Sequence, residues 1–293
     1  MREKDYINFL VKSLKFTIFA LLTSTSYVIQ AETWQPSSGH SQIELWPGIP
    51  PNAITTIEIE EMRKRDNLVA GEPWYEVSNV TRPTYTVYSP KSKNTGTAVI
   101  VFPGGGHKIL AIDLEGTEIC DWLTSEGITC ILLKYRVPHS GCYYDVKTNK
   151  HVTPKFQTAL QDAQRTISTI RNNAKKLKLD PNKIGVMGFS AGGYMAVLAS
   201  TESSQRAYGP RDEIDKISYR PDFAIPVYPG HMTMEHKNKT PREVAAKELN
   251  TDIVISHDIP PTLLIHSQND PVDPAYYSEL YESELKKAGV EVT

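Results

Sequence analysis

The sequence predicts an α/β domain, a mostly parallel sheet with helices on both faces. Three observations carry that expectation. Short continuous apolar runs such as "TAVIVF", "ITCILLKY" and "IGVM" read as strands buried on both faces. Between them lie stretches of helical periodicity, above all 154–179, where Ala159, Ala163, Ile167 and Ile170 share one side. The two kinds of segment alternate along the chain, the order that produces a parallel sheet with crossover helices.

Taken in order, "SGHSQIELWPGIPPNAITT" is dense in Pro, Gly and Asn and reads as an extended arm lying on the domain. "RPTYTVYSP" alternates side-chain types like a half-buried strand. "TAVIVFPGGG" is a buried strand ending in glycines, followed by a helix pattern from about Asp113 to Ser125 and the buried strand "ITCILLKYRVP". After the 154–179 helix, "LDPNK" marks a turn before the strand "IGVM". "DFAIPVYPG" and "PTLLIHSQND" are two further short strands, and "DPAYYSELYESELKKAG" is helical with Gly289 as its stop. The segments Glu202 to Tyr219 and Met232 to Ile255 are less regular and read as loop or cap material over a site.

Composition narrows the function. A chain of 293 residues with 40% hydrophobic and 23% charged residues has an ordinary globular balance. A formal charge of −2 excludes nucleic acid as a partner, because phosphate neutralisation needs a clustered basic surface. The start differs from the rest: Arg2, Lys4, Lys12 and Lys15 precede "FTIFALLTSTSYVIQA", a stretch without charge. A basic start, a short apolar run and a small residue at Ala31 describe an export signal. The expectation is therefore a signal peptide over 1–31, cleavage near Ala31, and one domain over 32–293 that is exported and keeps no stable membrane insertion. Of the three cysteines, Cys120 and Cys130 fall in a helix and a strand and read as core fillers. One disulfide among Cys120, Cys130 and Cys142 is possible, with its pairing open. No spacing resembles a metal site, and no cofactor is implied.

Chemistry concentrates in three places. "GFSAGG" sets Ser190 between the strand "IGVM" and the helix-compatible "YMAVLAS", the strand–turn–helix setting of a nucleophile elbow. The bland alternative is a glycine-rich turn with an incidental serine. "VIVFPGGGH" runs a buried strand into Gly104, Gly105 and Gly106, whose N–H groups, with that of Ala191, can face a developing oxyanion. A phosphate loop is the rival reading, but the lysine and Ser/Thr it needs are missing. In "LLIHSQNDPVDP", Asp270 stands just past a strand end, where parallel sheets gather catalytic groups, with Asp273 as the alternative carboxylate.

Together, "LWPG", "VFPGGGH", "LKYRVP", "DAQRTISTIR", "GVMGFSAGG" and "HSQNDPVDP" resemble the α/β hydrolases of the carboxylesterase and acetyl-xylan-esterase-like kind. The resemblance implies the α/β-hydrolase fold, Ser190 as nucleophile, Asp270 as acid, the Gly104–Gly106 loop as oxyanion support, and a small-molecule or carbohydrate ester as substrate. Asp162 and Arg165, one helical turn apart, read as a structural pair.

The fold places its catalytic histidine after the acid, yet His40, His107, His139, His151, His231, His236, His257 and His266 all precede Asp270. Three expectations follow. The C-terminal strand and histidine segment of the family is truncated here, or His231 is recruited as base, or the chain is a pseudoenzyme that binds esters. In the first case no histidine would bridge Ser190 and Asp270, and little activity would remain. A serine peptidase of the prolyl-oligopeptidase type is the enzymatic rival; it usually carries a propeller domain for which this chain is too short.

Overall fold

The computed structural model describes residues 33–138, 143–145, 150–152, 157–201, 205–233 and 248–293. The export signal over 1–31 therefore lies outside the described residues, as do His139, Cys142, His236 and most of the expected cap segment after Met232.

Six strands form the central sheet in the order β1 (Ile43–Glu44), β4 (Thr84–Tyr88), β7 (Thr129–Lys134), β5 (Ala98–Phe102), β10 (Ile184–Phe189), β11 (Ala224–Val227). Pairing is antiparallel at β1–β4–β7 and parallel from β7 through β5 and β10 to β11. β5, β7 and β10 are buried along their whole length, which is why they read as unbroken apolar runs. The expected strand Thr262–Ile265 continues the sheet beside β11 through bridges rather than a full ladder, with Leu263 N–H donating to Ala224 O at 2.9 Å. Residues 291–293 add a further bridge outside it, at Thr262 and Val292.

The helices meet expectation with one refinement. A π-turn at Asp113–Thr117 leads into α1 (Glu118–Ser125). Within the 154–179 pattern, the described helix α2 (Gln157–Asn172) breaks at Asn173 before the short α3 (Ala174–Leu177). α4 (Ala191–Thr201) is buried at every residue, and α5 (Tyr276–Lys287) ends just before Gly289, whose φ is +76°. Among the described residues, no helix is long and apolar enough to cross a membrane.

A second sheet was not legible. β2 (Glu61–Val69) and β3 (Glu72–Ser78) form a hairpin around Ala70 and Gly71, both at positive φ, and β3 pairs with β6 (Ile109–Ala111). Two consecutive left-handed residues give a hairpin turn whose twist matches the strands. A separate small hairpin joins β8 (Tyr143–Asp145) to β9 (Lys150–Val152).

Two expectations are corrected by packing. Cys120 and Cys130 are both fully buried, yet they are joined by a disulfide, because α1 packs on β7 and brings their Cα atoms to 5.1 Å. Asp162 and Arg165 do not pair with each other. Asp162 accepts from Arg136 Nη2 at 2.8 Å and from the Trp46 indole at 2.8 Å, which pins the "LWPG" arm to α2. Arg165 instead holds Asp212 at 2.6 Å and Asp215 at 2.9 Å. Successive polar residues of a helix whose surroundings differ find different partners.

The Arg165 cluster predicts its own behaviour. The Asp215 side chain is wholly buried, with Tyr208, Arg165 and the Arg211 N–H all donating to it. Arg165→Met should cost about 3–5 kcal/mol in urea unfolding, since it removes the nearest cation from a buried carboxylate and leaves Arg206, at 3.6 Å, as its counter-charge. The hydrogen bond from Arg165 holds the Asp212 carboxyl below its ordinary range. A depressed folded pKa gives stability that is present above the unfolded value, about 3.9, and lost as pH falls through the folded one. The loss of stability below about pH 4 should therefore be shallower in Asp212→Asn than in the parent, measured by unfolding at stepped pH.

Candidate active site

Ser190 sits where β10 turns into α4, with φ +50°, a left-handed conformation that a non-glycine residue rarely adopts. Close packing holds it there. A Cβ on Gly188 would collide with the Gly192 backbone, and one on Gly192 would meet the Phe102 and Pro103 carbonyls at the end of β5. Strand, elbow and helix thus approach at backbone contact, which only glycine permits at those two positions. Ser190 N–H donates to Val227 O at 3.1 Å, and Ser190 O accepts from Tyr194 N–H and Gly230 N–H at 3.0 Å each. The elbow is therefore bonded on one side to its own helix and on the other to the loop after β11.

Strain is concentrated around the serine. His107, Tyr228 and His231 also have positive φ, at +55°, +33° and +54°. The rings of His107 and His231 lie 5.8 Å apart, His231 is 5.9 Å from Tyr194, and Tyr228 is 5.9 Å from Phe189. Such residues cost about 1–3 kcal/mol each and persist where the surroundings over-determine them, typically at functional sites.

Of the two candidate carboxylates, Asp273 meets the serine: Ser190 Oγ donates to Asp273 Oδ2 at 3.2 Å. Burial pushes the Asp273 carboxyl up, opposed by His231 and by the Ser190 hydroxyl. Asp270, the first expectation, shapes the same loop, with its Oδ1 accepting from Val272 N–H at 2.8 Å and Asp273 N–H at 2.9 Å. His266 fixes the loop from behind. Its Nε2 lies 2.8 Å from the Asp273 carbonyl and its Nδ1 2.8 Å from Ser278 Oγ. A carbonyl only accepts, so Nε2 carries a proton, and Nδ1 shares the second hydrogen bond with the Ser278 hydroxyl.

The glycine loop behaves less uniformly than its sequence suggests. Gly104 N–H is committed to Glu115 Oε2 at 2.6 Å, which corrects its expected role as an oxyanion donor. The turn bonds of the loop use the Gly104 and Gly105 carbonyls, not the N–H groups of Gly105 and Gly106. Ala191 opens α4, so its N–H has no partner within the helix. The N–H groups of Gly105, Gly106 and Ala191 thus keep no acceptor among the described backbone hydrogen bonds. Tyr135 Oη donates to Pro103 O at 2.6 Å and anchors the start of the loop. Glu115 and Tyr228, whose hydroxyl donates to Glu115 Oε1 at 2.9 Å, are site residues that sequence reasoning missed. The one available signal was position: Tyr228 stands just past a strand end, at the same edge as Ser190.

Comparison with known proteins fits this geometry. The BD-FAE family model matches residues 86–225. The solved structure of an acetyl ester-xyloside bifunctional hydrolase from Caldicellulosiruptor lactoaceticus is 30% identical, with a TM-score of 0.60 over 86% of this chain and 83% of that one. The chain belongs to the α/β-hydrolase family, in its acetyl-xylan-esterase-like branch. Among curated relatives of this α/β hydrolase, an acetylxylan esterase of Xylanibacter ruminicola is 28% identical over 67% of the chain and 38% of the relative. An endo-1,4-beta-xylanase B of Butyrivibrio fibrisolvens is 25% identical over 93% of the chain and 41% of the relative. The hydrolase chain thus spans about two fifths of the length of these two curated relatives.

The close approach at the elbow is testable. Gly192→Ala should destabilise the hydrolase by about 1–3 kcal/mol through overpacking against the end of β5. Chemical unfolding measures the loss, and an unchanged midpoint would contradict the contact.

Proposed function

We propose that this protein is a serine ester hydrolase acting through an acyl-enzyme on Ser190, with acetyl or other short-chain esters, including those of carbohydrate, as substrates. The observation that carries the reading is the strained Ser190 at the strand–helix elbow, facing a glycine loop with uncommitted N–H groups. The serine attacks the ester carbonyl, and the N–H groups of Gly105, Gly106 and Ala191 stabilise the oxyanion. Collapse of the intermediate expels the alcohol, and water then releases the acid. The carboxylate loop 270–273 orients and stabilises the histidine that takes the serine proton. Among the described residues His231, whose ring lies 5.8 Å from that of His107 and 5.9 Å from that of Tyr194, is the candidate base on this side of the site. The named activity of the acetylxylan esterase relative supports an acetylated polysaccharide as one substrate class.

One observation favours a second reading. The Ser190 hydroxyl donates to the Asp273 carboxylate, and a serine held this way is not paired with the histidine base that ester cleavage through a triad uses. The assay separates the two. Release of 4-nitrophenol from its acetate and of acetate from acetylated xylan should be detectable, and Ser190→Ala should lower the rate by at least about 10³-fold. Full rate in Ser190→Ala would remove the nucleophile assignment. Saturable ester binding with no acid released would select the second reading.

We also infer that residues 1–31 direct export and that the domain from 32 onward works outside the cytoplasm. The basic and then uncharged start of the chain supports this. Protein recovered outside the cytoplasm should begin near Glu32 by N-terminal sequencing, whereas an intact Met1 would contradict cleavage.

A further inference from the structure

We propose that Glu115 is the positioning residue of the oxyanion loop, its carboxylate tying the loop after β5 to the loop after β11 across the base of Ser190. This rests on the reading of Ser190 as an ester-cleaving nucleophile and adds a residue to it. Glu115 lies in the π-turn before α1, half-buried, and each of its oxygens takes one donor from a different loop: Gly104 N–H at 2.6 Å and Tyr228 Oη at 2.9 Å. The two donors stand on either side of the elbow. A side chain placed on Gly104 would meet Glu115 Oε2 at 2.6 Å and Ser190 Cβ at 3.2 Å, so carboxylate and nucleophile flank the same point.

A carboxylate is suited to this task because it only accepts. Both donors must point at it, which fixes the Gly104 peptide plane and the Tyr228 hydroxyl rotor together. The next two planes, which carry the Gly105 and Gly106 N–H groups, are held from their carbonyl side, Gly104 O accepting from Ala111 N–H at 3.0 Å and Gly105 O from Lys108 N–H at 3.1 Å, so Glu115 anchors the point from which this turn starts. The turn carrying Glu115 is itself held, since Asp113 Oδ2 accepts from Tyr75 N–H at 2.7 Å. Withdrawing a carboxylate from water is costly even in part, and desolvation does push the Glu115 carboxyl up against the lowering effect of its two donors. Filling that space needs no such group, since an apolar side chain of similar volume would do it without the cost.

The variants separate positioning from packing. In Glu115→Gln the amide oxygen can accept from Gly104 while its NH₂ donates to the Tyr228 oxygen, so both ties survive with one reversed. Glu115→Ala loses both, and Tyr228→Phe loses one. Glu115→Ala should lower kcat for 4-nitrophenyl acetate by about 10²-fold with KM little changed, a loss like that of an oxyanion donor. Glu115→Gln should restore kcat to within a few-fold, and Tyr228→Phe should fall between. Amide hydrogen exchange, which needs no turnover, should quicken at 104–111 in Glu115→Ala and stay at the parent rate in Glu115→Gln. The inference is overturned if Glu115→Ala keeps parental kcat and exchange, or if Glu115→Gln is as impaired as Glu115→Ala. If the alanine variant fails to fold, Tyr228→Phe with unchanged kcat and exchange overturns it equally. Ser190→Ala tests the nucleophile separately, so full turnover in that variant sinks the hydrolase reading while the exchange data still decide the role of Glu115.

Discussion

The crowding of three strand ends around one serine governs the rest of this structure. β5, β10 and β11 lie side by side, and the chain leaving β10 must turn into α4 without striking the ends of its neighbours. Gly188 and Gly192 make that possible, because any side chain there would enter a neighbouring backbone. The resulting left-handed Ser190 is held by backbone hydrogen bonds to Val227, Gly230 and Tyr194. Glycine loop, elbow and Tyr228–His231 segment are consequently placed by one set of contacts rather than by three independent loops.

The electrostatics of the site follow from that crowding. Glu115 and Asp273 both stand near a position where negative charge would develop during ester cleavage, an arrangement that opposes the chemistry unless each is compensated. Glu115 is compensated by an N–H and a phenol, and Asp273 by the Ser190 hydroxyl. Burial raises both carboxyls, so the protonated form of each is more accessible than on the surface. Tyr228 is driven the other way from ionisation, by burial and by the carboxylate it serves, and so keeps its proton for Glu115.

What the sequence disclosed depended on whether the signal was local. β5, β7 and β10 were legible because strands buried on both faces leave unbroken apolar runs, and Ser190 because the glycines its turn needs lie within four residues. The β2–β3 hairpin was not, since Arg63, Lys64, Arg65 and Asp66 face solvent and give no alternation. Glu115 and Tyr228 are 113 residues apart, and nothing in either neighbourhood announces the other. Their meeting is a product of strand order, as is the arrival of Asp273 rather than Asp270 at the serine. The disulfide hid in the same way, because two buried cysteines look like core until the helix is laid on its strand.

The position of β5 has a bearing on how the chain acquires its shape during synthesis. One of its edges is completed by β7, which follows after a single helix, while the other waits for β10, which begins only at Ile184. Until then the most apolar strand of the sheet presents an open ladder of N–H and C=O groups, the kind of edge that invites pairing with another chain. Assembly of the centre is therefore governed by a late, non-local step, and sheets built this way fold slowly and spend longer in aggregation-prone forms. The residues that complete β5 are the ones that lead directly into Ser190. The Ser190 elbow and the protection of the nascent sheet thus arrive in the same event.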